Sequence, residues 1–157
     1  MKILIIRAAS FVCALLTALM IFSFSAETGE ESGDLSGKIT ETILSAVAIT
    51  RENTPTEEYA AITEKMHFAV RKLAHFSEYC MLGFFLCVFF HTFDLRSFVP
   101  GLFAFGISVV YASLDEWHQS FIPGRGPGLG DVMIDAAGAL FGVLIVFFAA
   151  RRLKRRK

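Results

Sequence analysis

Four stretches of the chain are long and apolar enough to cross a lipid bilayer as helices, which takes about 20 residues. They are 3–24, 73–93, 98–114 and 132–150. The third is short unless it takes in flanking residues. Polar backbone groups inside lipid must be satisfied within the spanning structure, and the period-two alternation of a membrane barrel is absent. The pattern therefore predicts an all-α membrane protein with four transmembrane helices, forming a single domain over residues 1–157.

The segment 26–72 between the first two spans is the longest polar part of the chain. Residues 26–37 are rich in acids and predict a solvated linker. Apolar residues then recur every three or four positions in two places, which predicts two amphipathic helices. The first set is Ile39, Ile43 and Val47, and the second is Tyr59, Ile62, Met66, Val70 and Leu73.

A break at Thr54-Pro55 separates these two predicted helices, and Thr56 is in position to cap the second. The favoured interpretation is a pair of short helices that lie on the outer membrane surface or cover the bundle. The alternative is a lid over a site.

The Lys and Arg residues predict the orientation of the spans, because cytoplasmic flanks carry the excess of these residues. Lys2 and Arg7 mark the N-terminus, and residues 151–157 contain six cations. Both ends are therefore expected in the cytoplasm, which agrees with an even number of spans and places 26–72 outside and 92–97 inside. Arg7 is expected to reach the cytoplasmic surface, and the basic tail to contact anionic lipid head groups.

A cleaved signal peptide is the alternative interpretation of the first span, since Ser23, Ser25 and Ala26 resemble a cleavage region. The apolar run is longer than the 7–15 residues typical of a signal-peptide core. An uncleaved span is therefore favoured.

Composition limits the remaining classes of function. Hydrophobic residues make up 54% of the chain and charged residues 19%, and the formal net charge is zero. This balance argues against disorder and against a nucleic-acid-binding surface. Cys13, Cys80 and Cys87 lie in apolar runs without motif spacing, so they are expected to be small buried hydrophobes and not disulfides or zinc ligands.

Ionisable residues near the spans are concentrated at the predicted outer face. Charges in or beside a membrane are costly and mark functional sites by default. Helical spacing places Arg71, His75, Glu78 and Tyr79 on one face of the second span. The candidate binding residues are Arg71, His75, Glu78, Tyr79, Asp115, Glu116, Trp117, Gln119, Arg125, Asp131 and Asp135.

Small residues predict which helix faces meet inside the bundle. Asp131 and Asp135 share a face of the fourth helix with the pair Gly138-x-x-x-Gly142. A second stripe in the third helix leads to Asp115 and consists of Gly101, Ala104, Ser108 and Ala112. The carboxylates on these faces are therefore expected to point into the bundle.

Three blocks of sequence resemble signatures of the VanZ-like family, which is named for a teicoplanin-resistance protein. Residues 71–79 read R-K-L-A-H-F-S-E-Y and resemble its R-K-x-A-H-F-x-E-Y block. Residues 115–125 resemble D-E-x-x-Q-x-F-x-P-G-R, and residues 131–138 resemble D-x-x-x-D-x-x-G. The resemblance covers about residues 15–150. It implies a small, multi-pass protein of the bacterial cytoplasmic membrane that is linked to glycopeptide tolerance.

Three functions fit the outer cluster. The charges could pair to lock the bundle, or they could bind a polar head group, or the carboxylates and histidines could act in catalysis. Binding is favoured because the Arg125 guanidinium, in a glycine-rich loop, can hold two oxygens of a phosphate or carboxylate, or bridge two protein acids. The expected partners are membrane lipids, with a lipid-linked cell-wall precursor or a glycopeptide as candidate ligands.

No cofactor and no metal ion are assigned from the sequence. The pair His75-x-x-Glu78 has the spacing of metal ligands, but a single pair is a weak signal. The glycine-rich loop at 124–130 lacks the G-K-S/T ending of a nucleotide-binding P-loop.

Overall fold

The computed structural model describes residues 1–96, 98–126 and 128–155. For residues 154 and 155 it describes the backbone alone. Its helices are α1 (Lys2–Ser25), α2 (Gly29–Ala46), α3 (Thr56–His91), α4 (Val99–Gln119) and α5 (Leu129–Arg155), and the described residues contain no strand. By length and composition, α1, α3, α4 and α5 can cross a membrane. The predicted all-helical fold with four spans is confirmed.

The second span belongs to a helix much longer than a membrane is thick. α3 has 36 residues, or about 54 Å at 1.5 Å per residue, against a hydrocarbon core of about 30 Å. The predicted separate helix beginning near Tyr59 is therefore wrong, because it continues without a break into the span. The predicted cap is also wrong, since the N-cap residue is Pro55, Thr56 is already helical, and no side chain caps this end.

The solvated linker predicted at 26–37 is wrong from Gly29 onward, where α2 begins. Thr28 and Glu31 form a reciprocal capping box that starts this helix. The backbone N–H of Thr28 donates to Oε2 of Glu31 at 2.9 Å, and the Glu31 N–H donates to the Thr28 hydroxyl at 3.3 Å. α2 then lies along α3, where His67 Nε2 is 2.7 Å from the Ser36 hydroxyl oxygen.

α3 and α5 approach each other through glycines. A Cβ atom added at Gly138 would overlap the backbone of Phe76, and one added at Gly142 would overlap the backbone of Cys80. The G-x-x-x-G face therefore points into the bundle, as predicted. The small-residue stripe of α4 also faces inward, because Ala104, Ser108 and Ala112 are fully buried. Large apolar side chains of the spans point outward, where lipid can cover them.

The beginning of α1 lies beside the ends of α3 and α5. Arg7 donates from Nη2 to the carbonyl oxygen of Thr92 at 2.8 Å and from Nε to its hydroxyl at 3.0 Å, and its guanidinium lies 4.0 Å from the ring centre of Phe93. Residues near both termini and at the end of α3 line one groove. The start of α1 and the described end of α5 therefore lie on the same side of the bundle.

Some sequence predictions fall outside the described residues or hold only in part. Residue 97 of the predicted inner link is not described, nor are residues 156–157 and the side chains of 154–155 in the predicted basic anchor. All three cysteines are free, but only Cys87 is fully buried, whereas Cys13 and Cys80 are half-buried.

Candidate functional site

A cavity of about 180 Å³ lies at the end of the bundle where α1 ends and α5 begins, which we call the polar end. It is bounded by the end of α1, by α2, by α3 and by the loop that follows α4. Its charged lining residues are Glu27, Arg71, His75, Glu78 and Arg125. Its apolar lining includes Phe24, Leu35, Ile39, Val70 and Ala74. The cavity therefore combines a mixed set of charges with an apolar wall.

α3 supplies three of the predicted site residues to this cavity. Arg71, His75 and Glu78 follow one another at helical spacing and all line it. Tyr79 does not, since it is fully buried and packs with Ile21 in the core of the bundle. The face predicted from spacing is therefore correct for three of its four members.

The Arg125 guanidinium joins the loop after α4 to the end of α1. It donates to the carbonyl oxygens of Phe24 at 2.8 Å and Glu27 at 3.2 Å, and to Oε1 of Gln119 at 3.3 Å. The acceptors are thus carbonyl oxygens and not the pair of carboxylates that the sequence suggested. Burial, followed by the nearby positive charge of Arg71, lowers the pKa of Arg125.

The loop reaches this position through a tight turn. Gly124 has a φ of +74°, a backbone conformation that residues with a Cβ atom rarely adopt. The N–H of Gly29 donates to the carbonyl oxygen of Pro123 at 3.0 Å, which fixes the loop to the start of α2. Arg125 follows directly and is thereby held over the end of α1.

Asp115 lies in a buried network behind Arg125. Its Oδ2 atom accepts hydrogen bonds from the Ser25 hydroxyl at 2.9 Å and from Nε2 of Gln119 at 3.0 Å. Because Gln119 also accepts from Arg125, the network runs from the cavity into the bundle. Ser25 was not among the predicted site residues.

Asp135 is fully buried, and neither of its carboxylate oxygens has a hydrogen-bond partner among the described residues. Nδ1 of His75 lies 3.8 Å from Oδ1 of Asp135. One ligand atom of each of His75, Asp115 and Asp135 lies within 4.8 Å of the other two. Three helices contribute to this group, so no local spacing in the sequence could reveal it.

Two further predicted residues hold the structure together at the polar end. Lys72 on α3 forms an ion pair with Asp131 at the start of α5. Glu116 accepts a hydrogen bond of 3.0 Å from the N–H of Gly128 and so orders the chain before α5.

Trp117 lies away from the cavity, although it was predicted to line it. It is 65% exposed and packs edge-to-face against Phe121. Successive helical residues are rotated by about 100°, so Trp117 points to the opposite side of α4 from Asp115. The structure therefore brings together most, but not all, of the predicted residues.

Comparison with known proteins identified one family. The family model described as VanZ/LLP1 matches residues 10–150, which is most of the chain. Comparison with curated proteins and with solved structures gave no match.

Proposed function

The chain belongs to the VanZ/LLP1 family, and from this premise we propose that it binds the anionic head group of a lipid-linked molecule at the outer face of the bacterial cytoplasmic membrane. The candidate ligand is a lipid-linked peptidoglycan precursor, which carries phosphate next to its lipid. Binding of such a precursor would connect the protein to glycopeptide tolerance.

The observation that carries this proposal is the pair of arginines in the cavity. Arg71 and Arg125 both line it, and the Arg71 side chain has no ion pair or hydrogen bond with any residue that the structure describes. Two like charges at close range repel, and an anion between them removes that repulsion. A guanidinium also matches the geometry of phosphate oxygens.

The apolar wall of the cavity suits the lipid part of the same ligand. Phe24, Leu35 and Ile39 line the cavity and are each at least 40% exposed. An alkyl chain can cover these side chains while the head group contacts the arginines. The carboxylates of Glu27 and Glu78 supply acceptors for hydroxyl or ammonium groups of the head group.

The size of the cavity favours a head group over a whole glycopeptide. Sites for drug-sized molecules usually measure about 300–1,000 Å³, whereas this cavity measures about 180 Å³. A diphosphate group fits that volume better than a folded glycopeptide does. We therefore place the glycopeptide second among the candidate ligands.

Structural pairing alone explains only part of the polar end. The Lys72–Asp131 pair and the bond from Gly128 to Glu116 account for three of its charged groups. They leave Arg71 and Glu78 facing the cavity without a structural partner among the described residues. A bound head group would supply both side chains with a partner.

The proposal can be tested with the full chain in lipid nanodiscs and a polyprenyl diphosphate as the probe. Native mass spectrometry or a fluorescence titration should show binding of the diphosphate, and weaker binding of the uncharged polyprenol. Arg71→Gln should weaken diphosphate binding by about tenfold, the effect of losing one charge-assisted contact. Lys65→Gln, which removes an exposed cation from the same helix, is the matched control and should bind as the wild type does.

Equal affinity for the diphosphate and the polyprenol would contradict the proposal. So would an Arg71→Gln variant that binds the diphosphate as tightly as the Lys65→Gln control.

A further inference from the structure

His75, which lines the cavity, forms a compact set of potential metal ligands with the buried residues Asp115 and Asp135. Each offers one nitrogen or oxygen atom, and the three atoms lie within 4.8 Å of one another. Ligands about 2.1 Å from one ion can be at most about 4.2 Å apart. The 3.8 Å between His75 and Asp135 already satisfies this limit, and small side-chain rotations can bring in Asp115.

The buried carboxylate of Asp135 is the observation that points to a ligand. This side chain is fully buried, and neither of its oxygens has a hydrogen-bond partner in the described part of the chain. Nδ1 of His75 is also buried without a partner in the same residues. A buried carboxylate without a partner is unfavourable unless it is neutralised or coordinates a cation. The two unpartnered groups lie next to each other.

The surroundings of Asp115 resemble the support that metal ligands usually have. Ser25 and Gln119 both donate to its Oδ2 atom, and no hydrogen bond from a described residue ends on Oδ1. Such outer hydrogen bonds orient a ligating carboxylate and raise metal affinity. Asp115 is therefore fixed on one oxygen and available on the other.

We propose that His75, Asp115 and Asp135 bind one divalent transition-metal ion, with Zn²⁺ or Mn²⁺ as the fitting ions. One imidazole nitrogen and two carboxylate oxygens suit both metals, whereas Mg²⁺ and Ca²⁺ prefer oxygen ligands alone. Three protein ligands leave at least one coordination position for water or another molecule. The site goes beyond the proposed function, because head-group binding by Arg71 and Arg125 does not require it.

Metal binding can be measured on the full chain in detergent after treatment with EDTA. Titration of the stripped wild type with ZnCl₂, and separately with MnCl₂, should show one site per chain for at least one ion. Bound metal should also raise the melting temperature, because a ligand that binds only the folded state stabilises it. Elemental analysis after desalting gives the stoichiometry.

Matched variants locate the site. Asp135→Asn should weaken binding by about 100-fold or more, and Ser25→Ala by about 10-fold through the loss of an outer hydrogen bond to Asp115. Asp131→Asn, the same change one helical turn earlier, should retain the metal because its partner is Lys72. If Asp135→Asn does not fold, His75→Gln tests the same site.

Two results would overturn the proposal. One is a wild type that binds neither Zn²⁺ nor Mn²⁺ with one-to-one stoichiometry, which would leave a His75–Asp135 ion pair as the explanation of the group. The other is equal loss of metal in Asp131→Asn and Asp135→Asn, which would indicate nonspecific attraction by the acids of the polar end. Since neither experiment uses the diphosphate probe, failure here leaves the head-group proposal unaffected.

Discussion

The ammonium group of Lys72 pairs with the carboxylate of Asp131, whereas the preceding residue, Arg71, faces the cavity. One helical turn of α3 therefore carries two cations with different roles. Lys72 fastens α3 to the start of α5, whereas Arg71 has no ion pair with any residue that the structure describes. The charged groups of the polar end are thus divided into paired groups and groups that face the cavity.

This division predicts that removing one partner of the Lys72–Asp131 pair lowers stability. Both side chains are less than one-third exposed, so the remaining charge loses its partner where water replaces it poorly. Lys72→Gln should lower the free energy of unfolding in detergent by about 1–3 kcal/mol. The double variant with Asp131→Asn should recover part of that loss, because no unpaired charge remains.

A surface ion pair supplies the control for this measurement. Arg51 and Glu41 lie 3.6 Å apart, but both are mostly exposed, and such pairs contribute little. Glu41→Gln should therefore leave unfolding unchanged. A Lys72→Gln protein as stable as Glu41→Gln would show that the inner pair does not fasten the helices.

The contact between α3 and α5 predicts a strong effect of one added methyl group. A Cβ atom at Gly142 would lie 2.8 Å from the backbone nitrogen of Phe84 and closer still to the carbonyl oxygen of Cys80. Gly142→Ala should therefore push the helices apart and cost about 1–3 kcal/mol. Gly106→Ala is the control, since no heavy atom lies within 4 Å of its added Cβ. Equal melting temperatures for the two variants would contradict this packing.

The sequence predicts features whose cause is local. Apolar run length predicts the four spans, and helical spacing correctly predicts that Arg71, His75 and Glu78 share a face. Tyr79 follows Arg71 by eight residues, so it is rotated by about 80° from it at about 100° per residue. That rotation turns Tyr79 into the core. Spacings of three and four residues each approximate one helical turn, but their deviations add up over the eight residues from Arg71 to Tyr79.

Other features depend on contacts between helices, or on a short local signal that the surrounding composition contradicts. Residues 28–31 read T-G-E-E and match the S/T-x-x-E capping box, but the many polar residues nearby suggested a linker instead. The meeting of His75, Asp115 and Asp135 has no local signal, because it requires α3, α4 and α5 to pack in one particular way. Periodicity can show which face points inward, but not which residues of three inward faces meet.

The capping box predicts a pH effect at Glu31. The backbone N–H and the hydroxyl of Thr28 hydrogen-bond to its carboxylate and lower the pKa of Glu31 below its ordinary value. The stabilisation of α2 by the ionised Glu31 carboxylate is therefore complete above the ordinary pKa of a glutamate. It is lost as the pH falls through the lowered pKa that Glu31 has in the folded state. Thr28→Ala should raise the midpoint of the Glu31 carboxyl titration measured by NMR.

Amide exchange gives a second measurement of the same cap. Thr28→Ala should speed hydrogen exchange in the first turn of α2 at neutral pH by about fivefold, as expected for the loss of an N-cap. Thr42→Ala removes an exposed threonine within α2 and should not do so. An unchanged Glu31 titration in Thr28→Ala would disprove the linkage.

Membrane topology is predicted from the positive charges together with the fold. The start of α1 and the described end of α5 lie on one side of the bundle, and six of the fifteen Lys and Arg residues lie in the last seven positions, with Lys2 and Arg7 near the N-terminus. Reporters fused to the C-terminus and inserted at Asp94 should therefore report the cytoplasm, and one inserted at Gly33 should report the exterior. An external signal at the C-terminus would reverse the orientation and place the cavity on the cytoplasmic side.

The three hydrogen bonds of Arg125 predict that a lysine cannot replace it. Its guanidinium holds the carbonyl oxygens of Phe24 and Glu27 and the amide oxygen of Gln119, whereas the donors of an ammonium group all lie on one nitrogen and cannot span these three acceptors in the same way. Arg125→Lys should therefore increase hydrogen exchange at the end of α1 and in the loop 120–126. Arg125→Ala should increase it further.

A second-site change distinguishes this role of Arg125 from simple neutralisation of nearby acids. If Arg125 acts only by balancing charge, Asp131→Asn should partly restore Arg125→Ala, because it removes one negative charge. Arg125→Ala leaves the carbonyl oxygens of Phe24 and Glu27 and the amide oxygen of Gln119 without the Arg125 donor. Asp131→Asn does not replace that donor. We therefore expect no restoration of hydrogen-exchange protection in the double variant. Recovery to the level of Asp131→Asn alone would show that the charge of Arg125, and not its hydrogen bonds, holds the loop in place.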